Sequence, residues 1–237
     1  MARTLALFDL DHTLIPFDSG STWFRYLSDI GVLREEDFVA RNQEFATQYK
    51  AGKLDVLAFH QFCLAPLALH PRAQLDAWRE SFKQAILPRI PAGSRALVDA
   101  HRNAGDLCCI VTATNSYVAG VYADIFNVSN LIGTEPAMVD GRPDGDFTGD
   151  IQGTPSYGPG KVPRVHEWLA AQGLSFADFD HTICYSDSFN DIPLLEAVDE
   201  AVAVGPDATL RKVAESRGWR IIARPVVTGQ ASDSADW

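Results

Sequence analysis

The sequence predicts an α/β fold: a three-layer, doubly wound, mainly parallel sheet with an all-helical segment inserted near its start. Three observations lead there. Residues 5–10, LALFDL, form a mostly apolar run of strand length that carries an acid at position 9, with a second at position 11. Residues 19 to about 87 place their apolar groups at helical spacing and hold no convincing strand. From Pro91 onward, short apolar runs alternate with amphipathic stretches. That alternation builds parallel strands joined by right-handed helical crossovers.

The elements follow in order. Residues 5–10 make the first buried strand. Trp23, Phe24, Leu27 and Ile30 mark a helix, and Phe38, Phe45 and Tyr49 a second. Leu54, Leu57, Phe59 and Phe62 mark a third, and Leu75, Trp78, Phe82 and Ile86 a fourth that ends before Pro88. These four helices predict a separate domain over residues 17–87, with 1–16 and 88–237 forming the α/β core. In the core, PAGSRALVDAHRNAG is a helix opened by Pro91 and closed at Gly105. DLCCIVTAT is a strand, NSYVAGVYADIF a helix, and residues 130–151 a strand followed by a hairpin with a polar turn at 140–146. KVPRVHEWLAAQG is a helix, HTICYSDS a strand and NDIPLLEAV a short helix. AVAVGP is a strand, DATLRKVAESRG a helix and WRIIA the last strand. The tail TGQASDSADW is expected to fray.

Bulk properties narrow the function classes. The 237 residues suffice for one domain with a sizeable insertion, and 46% hydrophobic with 22% charged residues is an ordinary globular balance. A formal net charge of -11 disfavours nucleic acid and anionic lipid as partners. Cys63, Cys108, Cys109 and Cys184 show no metal or disulfide spacing, so buried free thiols are expected at 108 and 109. Asp9 and Asp11 interrupt the only N-terminal apolar run, which argues against a secretory signal. No run approaches a membrane span. A cytoplasmic protein, monomeric or homodimeric, is expected.

In open parallel sheets, ligands sit beyond the C-terminal strand ends. Asp9 and Asp11, Thr112 to Asn115, and Ser186 to Asp191 all fall there. Carboxylates gathered at one rim call for a cation, and oxygen ligands suit Mg²⁺. Lys161 opens a helix and supplies positive charge, while Thr112 and the amides after it can face an anion. The pattern describes a site for a phosphate and a magnesium ion.

FDLDHTL, VTAT, Lys161 in GPGK, and YSDSFNDIPLL resemble, in order, the four motifs of the haloacid dehalogenase superfamily. The resemblance covers the chain apart from its ends. The helical insertion is similar to the cap of the phosphoserine phosphatase-like branch. The resemblance implies a phosphomonoester hydrolase acting on a small phosphorylated metabolite. Asp9 would be the nucleophile, forming an aspartyl-phosphate, and Asp11 the general acid and base. Asp9, Asp187 and the backbone carbonyl of Asp11 would hold Mg²⁺. Thr112 and Lys161 would bind phosphoryl oxygens, with Asn190 and Asp191 orienting Lys161 and metal-bound water. An acid at position 11 suits water-driven turnover, which favours a phosphatase over a phosphotransferase or phosphomutase. A non-catalytic binding protein is disfavoured because no motif residue is missing.

The cap carries the substrate question. Asp18 stands where the branch uses an acid for a substrate amine, and it also suits the cap of the first inserted helix. AGKLDVLAFHQF has Lys53 but no arginine for a substrate carboxylate, and TAT replaces the serine-glycine-glycine form. Both departures weaken phosphoserine as substrate and favour an amine without a carboxylate, such as histidinol phosphate. GTPSYGPGK imitates a nucleotide-binding loop but has Pro155 where the first glycine belongs and Val162 where a hydroxyl belongs. His12 reads as a loop residue, and His60, His70, His101, His166 and His181 as structural or surface residues.

Overall fold

The computed structural model describes residues 3–227; the 228–237 tail lies outside the described residues. Seven strands form one sheet: β1 Thr4–Phe8, β2 Leu107–Asn115, β3 Asn130–Met138, β4 Phe147–Gln152, β5 His181–Ser186, β6 Glu200–Val204 and β7 Arg220–Ile222. Their spatial order is β4-β3-β2-β1-β5-β6-β7, with β4 antiparallel to β3 and the other pairs parallel. The chain winds outward from β1 to β3, then returns to β5 on the other side of β1. The order therefore reverses at β1, and the crevice at such a reversal is where parallel sheets take ligands.

Strand alternation builds the three layers. Ala6, Phe8, Cys108, Ile110, Ile183 and Tyr185 point to one face and join one apolar cluster. Leu5, Leu7, Cys109, Val111, Cys184 and Ala203 point to the other and join a second. The central strands β1, β2 and β5 are apolar on both faces because helices cover both. On the second face lie α7 Lys161–Ala170, α8 Ile192–Leu195 and α9 Ala208–Arg217. On the first lie α5 Ala92–Ala104 and α6 Ser116–Phe126. Gly105 ends α5 at φ 83°, a left-handed closure that needs no Cβ.

The inserted stretch folds as expected into α1 Ser19–Asp29, α2 Glu35–Lys50, α3 Val56–Ala68 and α4 Arg72–Ile86. Its apolar groups serve two purposes. Trp23 and Leu27 of α1 and Leu75, Phe82 and Ile86 of α4 enter the same cluster as Tyr122 of α6, so these helices bury their stripes on the core. Phe24, Phe38 and Phe62 stack on one another and tie α1, α2 and α3 together. Helix α3 also lies on β4, where Gly149 has φ 88° and a Cβ would come within 3.3 Å of Ala68. The insertion is thus seated on the hairpin of β3 and β4 at one side.

The first strand is shorter than the apolar run suggested. β1 stops at Phe8, although the Asp9 amide still donates to the Tyr185 carbonyl at 2.9 Å. The chain then folds back: the amides of Thr13, Leu14 and Ile15 converge on the Leu10 carbonyl at 3.3, 2.9 and 3.1 Å. His12 takes φ 57° in that turn. Leu10, Leu14 and Ile15 are fully buried, so the turn is anchored by its own apolar side chains.

Candidate active site

Four carboxylates gather at the sheet reversal. Asp9 leaves β1 with one oxygen accepting from Lys161 Nζ at 2.8 Å and the other from Thr13 Oγ1 at 2.9 Å. Asp191 accepts from Lys161 at 2.7 Å and from Ser186 Oγ at 2.7 Å. Its carboxylate is thus committed to the lysine and not to a helix amide. Lys161 is 3% exposed. Burial alone would lower its pKa, but Asp191 and Asp9 outweigh that and hold the ammonium far above the ordinary lysine range. Gly160 allows this start of α7, because a Cβ there would stand 2.4 Å from the Pro155 carbonyl oxygen. The glycine before Lys161 therefore serves close packing.

Asp187 is less well compensated. Thr13 Oγ1 lies 3.4 Å from one of its oxygens and Arg224 Nη2 3.5 Å from the other. Burial, then the charge of Asp9, raises its pKa to about 8. Asp11 accepts from the Ser19 amide at 2.6 Å and from Thr114 Oγ1 at 2.9 Å. Burial, then Asp18 and Asp9, pushes it up to about 7, so its proton is held near neutrality. Asp191 is raised as well, first by burial.

One buried lysine does not balance these acids, whose raised values come first from burial and then from the neighbouring carboxylates. The donor set fits Mg²⁺: hard oxygens, with Asp9 and Asp187 both reached by the Thr13 hydroxyl. Among the described residues no three His, Cys, Asp or Glu side chains form a ready metal cage. Mg²⁺ needs none, since one or two carboxylates with a carbonyl and waters satisfy it.

The remaining expectations sort as follows. Thr112 is 0% exposed and does not line the cavity; its hydroxyl lies 3.4 Å from Asp11 and accepts the Thr114 amide at 3.1 Å. The hydroxyl at the cavity wall is that of Thr114, two residues on and therefore on the same side of β2. Asn190 does not touch Lys161: its side-chain amide donates to Tyr49 Oη and to Ser188 Oγ at 3.3 Å. That corrects its expected partner, because the turn at 189–191 aims it toward the insertion and leaves Lys161 to Asp191. Asn115 caps α6 through the Val118 amide at 3.0 Å. Asp18 lines the cavity and also caps α1, accepting the Ser21 amide at 2.6 Å. Cys108 and Cys109 are buried free thiols.

Tyr49 and Arg224 escaped the sequence reading as site residues, while Thr13, Thr114 and Ser188 entered it only as parts of longer stretches and were not singled out. Tyr49 stands on α2, Oη 3.1 Å from Ser188 Oγ, with its ring packed near Phe189. Burial raises its pKa to about 12, so it stays a neutral phenol. It joins the helical insertion to the turn that carries Asp187 and Asp191. Tyr49→Phe keeps the ring and removes these bonds. It is expected to lower kcat/KM severalfold, at roughly 1 kcal/mol per lost hydrogen bond. Steady-state kinetics beside a thermal melt check this, the melting temperature staying near wild type.

A cavity of about 580 Å³ opens between this acidic floor and the insertion. Phe24, Phe45, Phe59, Tyr49 and His60 form much of its roof and side. Among the described residues lining it, Lys161 is the only lysine or arginine.

A lysine held between strand-end acids, at the reversal of a parallel sheet and facing a cavity roofed by the insertion, defines a phosphatase of the α/β class. Residues 6–196 match the family model of haloacid dehalogenase-like hydrolases, and the chain belongs to that family. It is 40% identical to a histidinol-phosphatase of Neisseria meningitidis serogroup C, over 93% of this chain and 98% of that one. It is 33% identical to a phosphoserine phosphatase of Mycobacterium tuberculosis, over 91% of this chain and 69% of that one. A Bordetella pertussis protein of unknown function superposes with a TM-score of 0.87 at 43% identity, over 94% of this chain and 99% of that one. A phosphoserine phosphatase solved as a phospho-aspartyl intermediate analogue shares the fold, with a TM-score of 0.64 at 17% identity over 95% of both chains. No helix among the described residues is long and apolar enough to cross a membrane.

Proposed function

We propose that this phosphatase hydrolyses histidinol phosphate through an aspartyl-phosphate on Asp9, with Mg²⁺ as cofactor and residues 17–87 acting as the cap over the site. The cavity lining carries the substrate reading. Asp18 offers a carboxylate to an ammonium, and beyond Lys161 no described lysine or arginine lines the cavity to meet a substrate carboxylate. Phosphoserine carries a carboxylate beside its amine, and desolvating that group without a cation is costly. Histidinol phosphate has the amine, lacks the carboxylate and adds a ring suited to the aromatic wall. The histidinol-phosphatase named above supports the same choice.

In this reading Asp9 attacks phosphorus as the bond to the substrate's alcohol oxygen breaks. Asp11, protonated near neutral pH, gives its proton to the leaving oxygen. The resulting Asp11 carboxylate then takes a proton from a water that attacks the acyl phosphate, which frees phosphate and restores Asp9. Lys161 holds a phosphoryl oxygen, and Asp191 keeps Lys161 in place. Thr112, with its hydroxyl 3.4 Å from Asp11, supports that acid. Mg²⁺ would be held by Asp9, Asp187 and the Asp11 carbonyl, where it offsets the repulsion between carboxylate and phosphate.

Dialysis against a chelator is expected to abolish phosphate release, and added Mg²⁺ to restore it; full activity without metal contradicts the cofactor assignment. A phosphate-release panel tests the substrate. The expected result is kcat/KM for histidinol phosphate above that for phosphoserine by at least about tenfold. A preference for phosphoserine overturns the substrate reading. Transfer of the phosphoryl group to a second metabolite, with no free phosphate, would instead indicate a phosphotransferase or mutase.

A further inference from the structure

We infer that His60 is a specificity-determining residue, whose Nδ1 accepts a hydrogen bond from the imidazole N–H of the substrate. This rests on the histidinol phosphate reading and deepens it. His60 is 2% exposed and lies on α3 in the cavity wall, between Phe59 and the Cys63 turn. A histidine buried to that degree ordinarily has both ring nitrogens satisfied.

The His60 tautomer is assigned from the hydrogen bonds around it, with the Thr134 proton given to its shorter contact. Its Nε2 lies 3.4 Å from Thr134 Oγ1. Thr134 has a single hydroxyl proton, which it donates to the Ala113 carbonyl at 3.0 Å. The Ser156 amide donates to the same oxygen at 3.1 Å. The Thr134 oxygen can therefore meet His60 only as an acceptor, so Nε2 carries the proton. Nδ1 is then a bare acceptor, and among the described residues no donor meets it. Burial lowers the His60 pKa to about 4, so the ring stays neutral and the acceptor persists at physiological pH.

A neutral acceptor in an aromatic wall matches a neutral ring donor. The ammonium of the same substrate has a better partner in the Asp18 carboxylate. The two groups would thus read the two nitrogen functions separately: charge at Asp18, ring N–H at His60. A hydrogen bond to a buried site is also the strongest lever for rejecting look-alikes, because a substrate without the donor leaves the acceptor desolvated and unpaired.

The test compares kcat/KM for histidinol phosphate with that for ethanolamine phosphate, which keeps the amine and lacks the ring. The ratio is measured in wild type, in His60→Leu and in His60→Asn, whose side-chain carbonyl reproduces the acceptor near Nδ1. The proposal expects the wild-type ratio to fall about tenfold in His60→Leu, mainly through KM, and to recover in His60→Asn. Because each value is a ratio within one protein, a general loss of folded enzyme cancels. A wild-type ratio near one overturns the substrate reading and this inference with it. A high wild-type ratio that survives in His60→Leu overturns this inference alone, as does an equal loss in both variants.

Discussion

Asp9→Asn is expected to lower turnover of every phosphate ester the enzyme accepts by a factor on the order of 10⁴ or more. An amide oxygen is too poor a nucleophile to attack phosphorus. The fold is expected to survive, since Lys161 keeps Asp191 at 2.7 Å and β1 keeps its ladder to β2 and β5. Phosphate release measured beside circular dichroism separates the two effects. Wild-type turnover in this variant removes Asp9 from the nucleophile's role.

Lys161→Met is expected to damage stability and catalysis together. The ammonium is the only side-chain cation hydrogen-bonded to Asp9 or Asp191 among the described residues. Removing one partner from a buried ionic cluster leaves uncompensated charge and costs about 3–5 kcal/mol. The same change removes a phosphoryl ligand, for a loss of roughly 10²–10³ in kcat. Urea unfolding of the metal-free protein checks the first figure and saturating kinetics the second. Mg²⁺ is expected to return part of the stability, because it answers the same shortage of positive charge. A variant as stable as wild type without metal contradicts the charge balance described here.

Asp9 was legible because strand periodicity places it, and Lys161, which opens a helix, only through its place in the order of the four motifs. An apolar run of strand length ends at a rim, so Asp9 had to emerge where ligands bind, and the four inserted helices followed from spacing alone. The hydroxyl and amide partners were less legible. Thr112 and Thr114 both reach the same Asp11 oxygen, and sequence cannot say which meets the cavity; the cavity lining, which holds Thr114 and not Thr112, decides it. Asn190 lies next to Asp191, yet the turn at 189–191 sends the two side chains to different partners. Tyr49 reads as an apolar helix position in the sequence. Its hydroxyl reaches Ser188, 139 positions away, and local pattern holds no trace of such a pair. The Thr134 hydroxyl that sets the His60 tautomer is hidden for the same reason.

The central claim is a covalent aspartyl-phosphate on Asp9, and trapping it is the most direct measurement. Enzyme turning over histidinol phosphate with Mg²⁺ would be quenched in acid and reduced with borohydride, which converts an acyl phosphate on aspartate to homoserine. Peptide mapping then locates the change. The account predicts homoserine at position 9 and none in Asp9→Asn. Homoserine at another position, or unmodified Asp9 from enzyme quenched in steady turnover, would contradict it.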